Sequence, residues 1–357
     1  MKSIIPWIGL ALWGLVGCQP KQEKKIEVQE ISLGDVEAFA GPELLSDWGF
    51  FQGDQNQLKP EKNVFPYAVN APLFSDYAEK ARFIFLPADS SMSYHANDLF
   101  EFPLGAVLVK NFYYPNDFRQ ADGKRRILET RLIAKEEDGW RPYSYIWNES
   151  QTDATLEVVG RSIPISWTDR AGELKRINYS VPNINQCKSC HERNGRFHPI
   201  GVTARQLNTE YEADENQLVV WQSQQKLTEL PDLSTIPKLV SWSHLDLPLE
   251  RRARSWLETN CAHCHRRDGP AKNSGLYLLA QEEDLYALGI YKPPVAAGRG
   301  SGGMKYAIFP GKPQESILIH RIRSLDPGVM MPELGRKLVH TEGLALIEDW
   351  IAKMPAN

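Results

Sequence analysis

Residues 126–147 read RILETRLIAKEEDGWRPYSYIW, and this run decides what the first half of the chain is. Arg126–Lys135 is rich in branched side chains, and residues 136–139, EEDG, supply a turn. In Trp140–Trp147 the rings of Tyr143, Tyr145 and Trp147 alternate with Ser144 and Ile146. Alternation with a period of two, bounded by turn residues, marks a strand, so the run predicts a hairpin. The signal continues outward. Ala106–Tyr113 is branched and aromatic, Thr155–Val159 and Ser162–Trp167 flank Gly160-Arg161 as a second hairpin, and the turn at 169–172 precedes Leu174–Tyr179. Residues 42–180 are therefore expected to form an antiparallel β-sandwich-like domain. The aromatic face of Tyr143, Tyr145 and Trp147 is expected in a core or a domain interface.

After Ser180 the pattern turns helical. Gln217–Leu227 predicts one helix. In the run from Leu249, the residues Leu249, Ala253, Trp256, Leu257 and Asn260 fall on one face, behind Pro248 in the first turn. Gln314–Arg323 predicts another helix, opened by Pro313, and the C-terminal run lines up Leu344, Ile347, Ile351 and Met354. The expected architecture is multidomain α+β: the β domain, then two mostly α domains at 181–245 and 246–357.

The chain has 357 residues, 42% hydrophobic and 24% charged, with a formal charge of −4 and both signs interspersed. That composition suits globular domains and carries no electrostatic footprint for nucleic acid. Residues 1–17 read as a signal peptide: Lys2 is a positive start, Ile4–Val16 an apolar stretch too short to span a bilayer, and Leu15-Val16-Gly17-Cys18 resembles a bacterial lipobox. Cys18 would then be the lipidated N-terminus, anchored by acyl chains. Gln19 after the cysteine suggests the outer membrane, on the periplasmic side. Residues 18–41 read as a flexible tether with a weak strand at Ile26–Ile31.

Export to an oxidising compartment makes the cysteine count informative. The chain has five, and the four besides Cys18 stand in two copies of C-x-x-C-H: Cys187, Cys190, His191 and Cys261, Cys264, His265. Two sulfurs three residues apart on a helical turn can each add to one vinyl group of a haem, and the histidine that follows can ligate the iron. Two covalently bound haem c groups are expected. A single four-cysteine zinc site would need a much shorter gap between the pairs and would leave both histidines unused; a thioredoxin-like pair would need a βαβ setting. For the second iron, Met331 before Pro332 is the expected thioether ligand, with Met330 as the alternative. For the first, the candidates are His244, His198, Met304 or no sixth ligand at all. In the β domain Asp76, His95, Asp98, Glu101, Glu129 and Asp138 are scattered without a motif.

Together VFPYAVNAPLFSDYAEKARFIFLP, FEFPLGAVLVKNF, YSYIWNESQTDA, NQCKSCH with PIGVTARQLN, LERRARSWLETNCAHCH and MPELGR resemble a bacterial dihaem c-type cytochrome family of uncharacterised function. The resemblance covers about Leu45 to Met354. It implies haem attachment at Cys187, Cys190, Cys261 and Cys264, iron ligation by His191, His265 and Met331, and class I-like cytochrome c domains for the two α regions. Its members are often encoded beside a protein of parallel β-helix repeats, a candidate partner. The expected function is a membrane-anchored periplasmic protein passing electrons between redox partners. The alternative is a haem enzyme, a peroxidase or dehydrogenase subunit, using an open first iron and the β domain for substrate.

Overall fold

The computed structural model describes residues 41–120, 123–211 and 215–355, and the chain from Gly41 onward is one compact unit. The signal peptide, Cys18, the tether and the strand expected at Ile26–Ile31 lie outside the described residues.

The strands are β1 (Val64–Pro66), β2 (Glu79–Phe85), β3 (Met92–Ser93), β4 (Val107–Pro115), β5 (Arg125–Glu136), β6 (Gly139–Trp147), β7 (Ala154–Leu156), β8 (Arg161–Thr168), β9 (Leu174–Val181), β10 (Glu192–Arg193), β11 (Arg196–Phe197) and β12 (Leu227–Thr228). An antiparallel six-stranded sheet, in the order β1-β2-β4-β5-β6-β7, forms the body. The hairpin of the opening stretch is its β5–β6 pair, from Glu129 opposite Ile146 to Glu136 opposite Gly139. One face packs Val107, Val109, Phe83, Leu132, Tyr145 and Trp147 against Leu45, Phe50 and Phe51. Tyr143 packs against the same core, so the aromatic stripe is interior.

The helices are α1 (Ile184–His191), α2 (Ala204–Leu207), α3 (Gln217–Ser223), α4 (Leu249–Cys261), α5 (Leu285–Leu288), α6 (Ile317–Arg323) and α7 (Thr341–Ala352). They overturn the expectation of two mostly α cytochrome c domains following a β sandwich: the molecule is mostly β. The described residues of 181–245 have no core of their own. Ala204, Leu207, Leu218 and Trp221 from α2 and α3 are buried with Phe65, Ile84, Leu86 and Leu108 of the sheet, and β12 pairs in parallel with β3. Four short residues of helix in α2 and seven in α3 expose too little self-sufficient apolar surface to close a domain. The expected second hairpin also fails. Ala154–Leu156 pairs back onto β6, whereas Arg161–Thr168 pairs with β9 as a separate ribbon. Gly160 between them has φ +80° and lies against the backbone of Val181 and Asn183, where a Cβ would collide. It carries the chain from one sheet to the other.

From Leu249 onward α4, α6 and α7 gather around Ala253, Trp256, Leu257, Ile319, Ile347 and Trp350. This core is bound tightly to the β body. Asn260 Oδ1 accepts from the Phe74 amide at 3.0 Å, and Gln206 Nε2 donates to both Ala71 O and Thr259 Oγ1 at 3.0 Å. Asp76 is buried, and its carboxylate accepts from the amides of Lys337 and Leu338 at 2.7 to 2.8 Å.

Candidate haem-attachment site

The first motif sits on α1, an eight-residue helix whose side chains are half-buried or exposed, His191 among the half-buried ones. Its start is a full capping box: Asn183 Oδ1 accepts from the Gln186 amide and Gln186 Oε1 from the Asn183 amide, both at 2.9 Å. Just beyond His191 the chain reverses through Asn194 and Gly195, both at positive φ, as the two-residue β10–β11 hairpin. That reversal brings the His198 carbonyl to 2.9 Å from His191 Nδ1 and stacks Phe197 on the imidazole at 4.8 Å. A carbonyl only accepts, so Nδ1 carries the hydrogen and Nε2 keeps its lone pair.

The second motif ends α4, a thirteen-residue helix whose Ala253, Trp256, Leu257 and Cys261 are all in the core. The His265 amide closes a turn onto the Cys261 carbonyl at 2.9 Å. Its Nδ1 is 3.3 Å from Ser274 Oγ, whose own hydrogen is donated to Ala271 O at 2.7 Å. Nδ1 is therefore the donor here too. Burial lowers the His191 imidazole to about 3 and the His265 imidazole to about 4. Both rings are neutral at ordinary pH, with Nε2 as the available donor atom, the form a ligand to iron requires.

The fold brings the two motifs together. A sulfur each from Cys190 and Cys264 and a ring nitrogen of His263 all lie within 4.8 Å of one another, and Cys264 Sγ is 3.7 Å from the Ser189 carbonyl. The Cys264 thiol is raised by its hydrogen bond to Cys190, with burial adding to it; the Cys190 sulfur, facing Cys264 and His263, is lowered. The four motif cysteines are free thiols. Cys187 and Cys261 do not join the cluster, so the described geometry does not gather a four-cysteine zinc site. His263, an unspecified position inside its motif, was invisible to spacing rules. Its Nδ1 is buried without a partner.

Arg193 ties the motifs to the sheet body. Its guanidinium donates to Asp98 Oδ1 at 2.6 Å and Asp98 Oδ2 at 2.9 Å, and to Asp268 Oδ2 at 2.6 and 3.0 Å. Burial opposes ionisation of Asp98, but the hydrogen bonds from His198 and Arg193 prevail and hold it well below the usual carboxylate range. His198 Nε2 is engaged here, 2.6 Å from Arg193 and 3.2 Å from Asp98. Of the other candidates for the first iron, His244 is exposed in a turn and Met304 is half-buried in a glycine-flanked loop. Near the second motif Met330 is buried and Met331 half-buried. The Met331 amide donates to Arg321 O and its carbonyl accepts from Arg336, each at 3.0 Å.

The scattered acids of the β region separate into local roles. Glu129 is fully buried and Asp138 pairs with Arg141 at 3.1 Å. Glu101 and His95 are exposed. A surface groove of about 610 Å³ beside Arg126, Pro164 and Arg176 touches none of the motif residues. Comparison of the chain with protein-family models, curated proteins and solved structures found no match.

Four free sulfurs in two pairs, one within α1 and one spanning the end of α4 and the turn after it, each followed by an imidazole whose Nδ1 is bonded to oxygen, fit the donor set of two c-type haems. Cys187 and Cys190 with His191 would hold one, and Cys261 and Cys264 with His265 the other.

Proposed function

We propose that the chain is a dihaem c-type electron-transfer protein. The observation that carries this reading is the meeting of the two motifs at Cys190 and Cys264: groups attached through these sulfurs are neighbours, as a relay requires. Bound haem supplies reversible one-electron exchange. The protein orients each imidazole, through His198 O and Ser274 Oγ, and holds the motifs in register through Arg193, Asp98 and Asp268. Met331 is the proposed second ligand of the iron at His265. The lipobox-like start supports an exported lipoprotein anchored through Cys18, with periplasmic redox proteins as partners. The family resemblance adds a protein of parallel β-helix repeats as a candidate among them.

Expression with covalent haem attachment, followed by intact mass and haem quantitation, tests the reading. Two haems per chain are expected, and one each when Cys187 and Cys190, or Cys261 and Cys264, are replaced by alanine. A chain that carries none would sink it. The second reading, an enzyme with an open first iron, draws support from His198, whose ring nitrogen is engaged by Asp98 and Arg193, and from the exposure of His244. A high-spin signal abolished by cyanide would favour the enzyme; two low-spin irons indifferent to cyanide would favour the relay.

A further inference from the structure

The face of the sheet toward α2 and α3 is covered at both ends and charged in the middle. At one end Ile84 and Leu108 belong to the core shared with those helices. At the other, Phe112 and Ile146 belong to a core with Ile163, Trp167 and Tyr179. Between them the register puts Arg82 of β2 opposite Lys110 of β4, and Lys110 opposite Arg131 of β5. Three cations thus stand in one row on one face, with Ser144 of β6 next in line. Like charges directly opposite each other destabilise a sheet.

The protein's own acids offset this row only in part. Arg131 donates to Glu129 Oε1 at 2.5 Å, which also accepts from Tyr179, and Arg131 Nε is buried without a partner. Arg82 and Lys110 make no side-chain hydrogen bond or ion pair among the described residues. Lys110 has a ring contact to Phe112 at 4.9 Å. Burial lowers Lys110 well below the usual lysine range, and the charges of Arg82, Lys80 and Arg131 lower it further. Lys80, next along β2, is lowered to about 7 by burial and by Arg82, while its Nζ donates to Leu73 O at 3.0 Å. The row is close enough to the first motif for Arg131 to act electrostatically on Cys187 and on Cys190, and for Lys110 and Arg131 to act on His191.

We infer that the Arg82–Lys110–Arg131 row is a binding site for a carboxylate-bearing ligand lying beside the first motif. A ligand with two carboxylates would meet Arg82 and Lys110, the two cations with no side-chain hydrogen bond or ion pair among the described residues, and relieve the repulsion along the row. Two sources share this chemistry: the propionates of a haem on Cys187 and Cys190, or a free dicarboxylate. The haem source rests on the dihaem reading; the site itself rests on the row.

The test compares wild type with Arg82→Gln and Lys110→Gln, and with Arg82→Lys and Lys110→Arg as charge-retaining controls for folding. Each protein is weighed for covalent haem, its haem potentials are measured, and it is titrated with succinate by calorimetry. With haem propionates in the row, removing either charge lowers the potential of one haem and leaves the other unchanged, while the controls stay near wild type. With a free dicarboxylate, succinate binds saturably to wild type and about tenfold more weakly to each glutamine variant, from loss of one charge-assisted hydrogen bond. Intact haems whose potentials ignore the substitutions, together with no saturable succinate binding, overturn the site and leave the dihaem reading standing. A chain without haem that still binds succinate through Arg82 and Lys110 keeps the site and ends the dihaem reading; one that does neither ends both.

Discussion

The two C-x-x-C-H motifs have the same spelling and opposite surroundings. The one at His265 terminates a thirteen-residue helix, α4, whose inner face is part of an apolar core with α6 and α7. The one at His191 rides on an eight-residue helix with no fully buried residue, held by a capping box at its start and a hairpin at its end. Isolated helices of that length are marginal in water. The α4 site is therefore maintained by the protein's own packing. The α1 site depends on capping and on Arg193.

The largest test of this contrast removes packing from the α4 side. Trp256→Ala opens a cavity in the core and deprives His340 Nδ1 of the indole N–H that reaches it at 3.0 Å. Denaturant unfolding should show a loss of about 3–5 kcal/mol, with α4 amides losing hydrogen-exchange protection. A loss below 1 kcal/mol would mean that the core around α4 is not what holds the second motif.

Acid should strike the same region next. His340 lies stacked on Phe74 at 4.5 Å and edge-on to Trp242, and burial lowers it from 6.5 to about 4. The unfolded chain takes up this proton near pH 6.5 and the folded one only near pH 4. The His340 contribution is thus fully present above pH 6.5 and is lost as pH falls between the two, by up to about 3 kcal/mol. Stability curves of wild type and His340→Gln should converge in slope above pH 6.5 and separate below it; parallel curves throughout would remove His340 from the account.

The smallest effect belongs to the α1 side. Asn183→Ala removes the side-chain acceptor of the capping box and should cost about 1 kcal/mol of helix stability, seen as faster exchange of the α1 amides with the melting of the core unchanged. If global stability falls as far as in Trp256→Ala, the two sites are not built on different principles.

What could be read from the sequence followed from local periodicity. The strand at 139–147 was legible because Tyr143, Tyr145 and Trp147 alternate with Ser144 and Ile146, those at 107–115 and 125–136 because branched side chains crowd them, and the helix ending at Cys261 because Leu249, Ala253, Trp256, Leu257 and Asn260 fall on one face at helical spacing. What failed was set by distant contacts. The helix expected to run to Leu227 stops at Ser223, since Gln225 turns to positive φ and the chain goes on to pair Leu227 with Met92. The helix read from Gln217 was real, but the surface its Leu218 and Trp221 serve belongs to the sheet, so the reading of a separate α domain fell. In the candidate site, both motifs could be read from spacing alone. Their meeting at Cys190, Cys264 and His263 could not, and neither could the row of Arg82, Lys110 and Arg131. Each of those cations is a lone charge in its own strand until the register aligns them.

Asp76 gives the molecule one more property. Its residue and Tyr77 both hold positive φ, the Tyr114 hydroxyl fixes the Asp76 carbonyl at 2.7 Å, and its carboxylate grips the amides of Lys337 and Leu338, a few residues past Met331. A loop fastened in this way is not an independent part of the α region. Its free energy is shared with the start of β2, and linkage runs equally in both directions. A ligand on the sheet that displaced Asp76 would change the affinity of the Met331 loop for its own partner by a given factor, and a group bound by that loop would change the sheet's affinity for the ligand by the same factor.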